Sequence, residues 1–193
     1  MNLTYPREWL KIANRALNLI GSEPIQEFDS AGEAAQNLNI QLPAAVQEVL
    51  AYHPYRCARS RSTLAPLVDS PAFGYKYAYQ LPSDFCSLIE AWSGDVKLDK
   101  TAYSMEGGQI LSDEEELGIV YTALPPSPES LTPAVQQAIE YLLAYKMAEI
   151  TTASDNLTMR LYQEYQTALV ESVKRDNQGA GDTAGEKWWS EER

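Results

Sequence analysis

Thiols and imidazoles, the side chains best suited to nucleophilic attack, metal ligation or proton transfer near neutral pH, are scarce in this chain of 193 residues: Cys57, Cys86 and one histidine, His53. Three such groups spaced this way make no CxxC pair, no HExxH and no Cys/His cluster, so a structural zinc site lacks its ligands. Both cysteines read as small buried hydrophobes in a reducing compartment rather than as a disulfide or a reactive thiol. No nucleophile, base or pair of carboxylates is convincingly supplied. The residues therefore point to a chain without cofactor or metal whose work is binding rather than catalysis.

Three other groups of residues could bind. Arg7, Lys11 and Arg15 stand at i, i+4 and i+8, one line of a helix, and could face an acidic neighbour or simply water. Asp113–Glu116 is an acidic run of the kind that forms a solvated turn. Trp188 and Trp189 lie in an otherwise polar C-terminal stretch. Adjacent indoles are costly to leave in water, and tryptophan is enriched among interface anchors, so this pair is expected to dock on a partner or on the chain's own surface.

The net charge of −12, with a pI near 4.5, excludes a protein whose main task is gripping nucleic acid, since phosphate binding depends on Lys and Arg. Acidity suits a surface past which DNA must slide without being held. With 45% apolar and 22% charged residues the chain matches a soluble globular protein, and its apolar runs are too short to span a bilayer. Met1 to Pro6 leads straight into Arg7, Glu8 and Lys11 with no leader-like apolar segment, which predicts residence in the cytoplasm where it is made.

The elements that must position these groups can be read from periodicity. Residues 6–20 are expected to be a helix, with Pro6 in its first turn, Leu10, Ala13, Leu17 and Ile20 inward, and Gly21 as its stop. Ser30 and Glu33 have capping-box spacing and open a second helix, which Pro43 should kink or restart before Val46, Val49 and Leu50. From residue 55 the alternation changes. Tyr75, Tyr77 and Tyr79, then Phe85 to Trp92, Val96–Leu98, Gln109–Leu111 and Gly118–Ala123 read as strands of a sheet, broken by Leu81-Pro82-Ser83-Asp84 and Gly107-Gly108. Thr132 and Pro133 open a third helix with Val135, Ile139, Leu142, Leu143, Met147 and Ile150 inward. Ser154-Asp155 opens a fourth, with Leu157, Leu161, Tyr165, Ala168 and Leu169 inward, so that the two make a hairpin. The expected fold is α+β, mainly helical: residues 1–54 and 125–177 form one discontinuous helical bundle, 55–124 an inserted small antiparallel β lobe, and 178–193 an extended or disordered C-terminal segment.

Several of these stretches resemble one family in order and spacing. Ala16-Leu17-Asn18-Leu19-Ile20-Gly21-Ser22-Glu23-Pro24-Ile25 is similar to the opening of the tail tubular protein A family, the head-to-tail adaptors of short-tailed bacteriophages. His53-Pro54-Tyr55-Arg56-Cys57-Ala58 is similar to that family's segment after the second helix, where a tryptophan usually stands in place of Tyr55. The most recognisable stretch is Tyr75-Lys76-Tyr77-Ala78-Tyr79-Gln80-Leu81-Pro82-Ser83-Asp84-Phe85-Cys86. Tyr121, the prolines at 125, 126 and 128, Leu142-Leu143-Ala144-Tyr145-Lys146-Met147-Ala148 and Ile150-Thr151 follow in order. The resemblance runs from about residue 7 to 177, each motif being short and the shared order carrying the weight.

The resemblance implies a virion structural protein, made in the host cytoplasm, that forms a ring of twelve copies between the portal protein and the tail nozzle protein. DNA would pass through its lumen without sequence-specific contact. It further implies that the C-terminal segment reaches portal subunits, which would make Trp188 and Trp189 the portal-binding residues and leave Arg7, Lys11 and Arg15 as candidate inter-subunit contacts. Some adaptors and their neighbours are credited with cell-wall hydrolysis. Glu140, Glu149 and Glu164 are the carboxylates that could supply such a secondary peptidoglycan-hydrolase activity. A cytoplasmic interaction or assembly factor sharing the same fold is the remaining alternative.

Overall fold

The computed structural model describes residues 7–151 and 154–179. The chain is α+β and mainly helical, with an antiparallel β lobe inserted between helices from its two ends. It divides into two compact units, Met1–Ala45 with Thr132–Arg193, and Val46–Leu131. The division falls earlier and later than the expected boundaries at 54 and 125, because the second helix is shared between the units and the proline-rich stretch before Thr132 goes with the lobe.

In the first unit a 3-10 turn, Arg7–Trp9, leads into α1, Leu10–Leu19, so the expected helix over 6–20 starts as a tighter turn. Trp9, Ile12, Ala13, Ala16 and Leu17 are buried. Gly21, at φ +74, ends α1 in a Schellman motif, its N–H on the Asn18 carbonyl at 3.1 Å and that of Ser22 on Leu17 at 3.0 Å. The Asn14 side chain then fastens the following loop, donating to and accepting from the Ile25 backbone at 2.9 Å each way.

Helix α2 runs unbroken over Glu33–Tyr52, through Pro43. The expected restart does not occur. An interior proline costs about 3 kcal/mol, but Leu38, Leu42, Ala45, Val46, Val49 and Leu50 are all buried on either side of it. Each fully buried leucine returns roughly 1.5–3 kcal/mol. The capping box is also absent: Ser30 Oγ donates to the Glu27 carbonyl at 2.9 Å, and Gly32 accepts the first helical bond, from Gln36 N–H.

Helix α3, Pro133–Ile150, begins after Thr132 as expected, although the Thr132 side chain makes no capping hydrogen bond. Nine of its side chains are buried, from Ala134 and Val135 round to Ala144 and Ala148, which covers every side of the helix. A helix apolar all round belongs at the centre of a bundle. It packs on α1 and, as a hairpin, on α4, Asp155–Gln178. At its end Ile150 is exposed rather than inward.

In the second unit the strands form two sheets where one was expected. β1 (Arg59–Leu64), β7 (Leu117–Ala123), β3 (Phe85–Ser93) and β4 (Val96–Lys97) make one, in that order. β2 (Tyr77–Gln80), β6 (Gln109–Ser112) and β5 (Tyr103–Glu106) make the other. All pairs are antiparallel. A single buried cluster joins the sheets: Leu64, Tyr79, Ala91, Ile110, Leu117, Ile119 and Tyr121. Gly107 and Gly108, at φ +58 and +78, close the β5–β6 hairpin between paired Glu106 and Gln109, as a type I′ turn requires.

β7 is central and buried on both faces. Thr122 is fully buried there, and its Oγ1 has no hydrogen-bond partner among the described residues. An unsatisfied buried hydroxyl costs about 1–3 kcal/mol. Thr122→Val, nearly the same shape without that group, is expected to raise stability by about 1 kcal/mol, read as a higher denaturant midpoint at unchanged slope.

The acidic run Asp113–Glu116, expected as a solvated turn, is partly an anchor. Asp113 Oδ1 accepts from Lys76 N–H at 3.0 Å, the Glu114 carbonyl accepts from the buried Tyr79 hydroxyl, and Glu114 Oε2 accepts from Ser93 Oγ at 2.7 Å. Glu115 and Glu116 are exposed. Burial raises the Tyr79 phenol above its ordinary range, with Tyr77, Glu115 and Glu114 adding repulsion, and burial raises Tyr121 likewise. A phenol whose pKa is raised by folding holds its proton more tightly in the folded chain, so its contribution is complete below pH about 10 and lost as pH rises beyond. The unfolding midpoint of the lobe is therefore expected to stay level up to about pH 9.5 and to fall above pH 10. Tyr79→Phe should flatten that fall while lowering neutral-pH stability by about 1–1.5 kcal/mol.

Candidate functional site

The basic line foreseen on the first helix is largely occupied within the chain. Arg7 pairs with Glu27 at 3.1 Å, both side chains well exposed. Arg15 Nη1 meets Glu140 Oε1 at 2.7 Å, which ties α1 to α3, and the Glu140 carboxylate is only 14% exposed. Lys11 is exposed and makes no ion pair with a described residue. Of the three cations it alone has no ion-pair partner among the described residues.

Glu140 and Glu149 do not form a glycosidase pair with each other. Glu140 and Glu149 stand nine residues apart on one helix, which is about 13.5 Å along the axis and on opposite faces. Paired glycosidase carboxylates lie roughly 5–9.5 Å apart. Glu140 is bonded to Arg15, Glu149 accepts from Tyr145 Oη at 2.6 Å, and Glu164 is exposed on α4.

The thiols and the imidazole lie in the second unit. Neither Cys57 nor Cys86 is in a disulfide, and both are half-buried rather than buried. Cys86 Sγ contacts the Gln47 carbonyl at 3.7 Å, and burial pushes its thiol up, away from the reactive thiolate. His53 lies edge-on to Tyr55, ring centres 5.0 Å apart. No group of three or more metal-ligating side chains occurs among the described residues.

One open depression of about 310 Å³ lies on the outer face of the four-stranded sheet, lined among others by Arg61, Thr63, Trp92, Asp95 and Gly118. Beside it Glu90 accepts from Lys97 Nζ at 2.8 Å and from Trp92 Nε1 at 3.1 Å. The Lys97 hydrogen bond holds Glu90 below its usual range, so this carboxylate is an ion-pair partner and not a proton donor at neutral pH.

The motif residues around Asp84 are tied together by geometry. Asp84 Oδ1 accepts from Tyr121 Oη at 3.1 Å, the Asp84 carbonyl accepts from Leu124 N–H at 2.7 Å, and the rings of Phe85 and Tyr121 stack at 5.7 Å. Tyr-rich strand, Leu-Pro-Ser-Asp turn and Tyr121 therefore form one structural corner of the lobe.

What sequence periodicity passed over is apolar surface. Val68 and Phe73, in the loop between β1 and β2, are 101% and 88% exposed. On α4 Met159, Tyr162 and Val170 are 64%, 46% and 62% exposed, beside the buried stripe of Leu161, Tyr165, Ala168 and Leu169. Their helical spacing was visible, but a reading that sought one inward face did not use it. Trp188 and Trp189 lie outside the described residues. No helix among the described residues is long and apolar enough to cross a membrane. No protein-family model matches the chain, and no curated protein matches it.

Proposed function

We propose that this chain is a head-to-tail adaptor of a bacteriophage, a virion protein whose copies form a ring between the portal protein and the tail nozzle protein and let the genome pass. The observation that carries the reading is the organisation of the chain: helices from both ends flank an inserted β lobe in sequence, and the motifs that resemble the adaptor family follow that order. The Tyr-rich stretch supplies β2, Leu81 to Asp84 the corner, and Leu142 to Ala148 the centre of α3. Apolar side chains exposed on both units, at Val68, Phe73, Met159 and Val170, suit a protein finished by its neighbours. A net charge of −12 suits a lumen that does not hold DNA.

On this reading twelve copies, the number the resemblance implies, assemble on the portal. Trp188 and Trp189 anchor them, and Lys11 offers a cation to the next subunit. Sedimentation of the purified chain with and without a portal ring from the same source tests it. The expected result is a monomer alone and saturable co-sedimentation with the portal. A chain that stays monomeric in both, yet binds a cytoplasmic target at small fixed stoichiometry, would instead be an assembly or interaction factor.

A further inference from the structure

Helix α4 carries two apolar stripes, and among the described residues only one is buried. Leu161, Tyr165, Ala168 and Leu169 are buried. The second stripe, Met159, Tyr162, Gln166, Val170 and Val173, recurs at steps of 3, 4, 4 and 3 residues and fills an arc of about 80°. Met159 and Val170 are 64% and 62% exposed. The Tyr162 ring meets Tyr145 of α3 at 5.3 Å, so the stripe continues onto the neighbouring helix.

Its size selects the occupant. The exposed apolar area is of the order of a few hundred Å², well short of the about 800 Å² per partner that a stable association of two folded chains requires. Two heptads with a central glutamine are also too short for a coiled coil. Two indoles, burying roughly 150–250 Å² each, match it. Trp188 and Trp189 follow α4 directly. Nine residues lie between Gln178 and Trp188, ten Cα steps with a reach of at most about 33–36 Å. Val170 lies about 12 Å and Met159 about 28 Å back along the helix from Gln178. The row bordering the stripe, Arg160, Gln163, Thr167 and Lys174, holds two cations and no carboxylate, while residues 182–193 around the tryptophans carry Asp182, Glu186, Glu191 and Glu192 against Lys187 and Arg193, a net acidic segment.

We infer that in the free chain the segment around Trp188 and Trp189 folds back and seats its indoles on the Met159, Tyr162 and Val170 stripe of its own α4. The seat stands on reach, size and charge alone. Its consequence rests on the adaptor reading: the indoles that anchor the portal are held by the chain's own helix until a portal offers them a larger pocket, which restricts ring formation to the portal.

Indole N–H signals of the full chain in nuclear magnetic resonance, each assigned by a Trp→Phe variant, test the seat. In the unaltered chain the signals of Trp188 and Trp189 are expected away from their positions in an isolated peptide of residues 180–193, and protected from exchange. Val170→Glu and Met159→Glu, both at exposed positions, should return them to the peptide positions, with loss of protection. Trp9 and Trp92 should not move, and circular dichroism should show an unchanged helix. Peptide-like signals in the unaltered chain overturn the inference, and so do displaced signals that neither variant alters. Displacement that vanishes on dilution together with a halving of mass assigns the seat to a second copy, which also overturns it. No portal enters this experiment, so its failure and that of the adaptor reading are separate results.

Discussion

If the chain is the adaptor proposed above, replacing Trp188 and Trp189 together by alanine is expected to weaken portal binding by about a thousandfold while leaving the chain folded. Interface tryptophans that act as anchors cost about 2 kcal/mol or more each on truncation, and about 4 kcal/mol is three decades in affinity. Both follow α4 in sequence and lie outside the described residues. In a ring the loss is compounded, because each subunit contributes the same contact and occupancy of one site favours its neighbours. Surface plasmon resonance on immobilised portal, with circular dichroism as the folding control, reads both quantities. Unchanged affinity would remove these residues from the portal contact.

The largest stability effect is expected at Trp9. Its indole is fully buried where the 3-10 turn passes into α1, next to Ile12, Ala13 and Ala16 on the same inward face. Trp9→Ala removes a large apolar surface and leaves a cavity that the backbone, held at the far end of α1 by Gly21 and by the Asn14 clamp on Ile25, cannot close. The expected cost is about 3–5 kcal/mol. For a chain of this length that is a melting temperature lower by roughly 6–20 °C. Differential scanning calorimetry would show it in the transition of the helical unit, with the β unit's transition retained.

How much of this was legible depended on whether the deciding contact was local. α3 was readable because Thr132-Pro133 marks its start and its apolar residues are dense. α4 was readable because Leu161, Tyr165, Ala168 and Leu169 repeat on one side. β1 was not, because an edge strand with one buried side chain, Leu64, can be Arg-Ser-Arg-Ser-Thr along the rest of its length and show no alternation of polarity. β5, Tyr103–Glu106, was passed over although Tyr103 and Met105 alternate with Ser104 and Glu106, because four residues are too few for alternation to mark a strand. Pro43 read as a break because local propensity forbids it, and burial on both sides of it decided otherwise. The partners of Arg7 and Arg15 are 20 and 125 residues away, so no local pattern could show that those cations are engaged. The inserted lobe was visible as a change of period, whereas its division into two sheets came only from pairing between distant strands.

Cryo-electron microscopy of the purified chain mixed with a portal ring from the same source, beside a version lacking residues 178–193, tests the adaptor role most directly. The predicted result is a closed ring of the full chain on the portal and bare portals with the shortened chain. Portals that remain bare with the full chain at saturating concentration would contradict it.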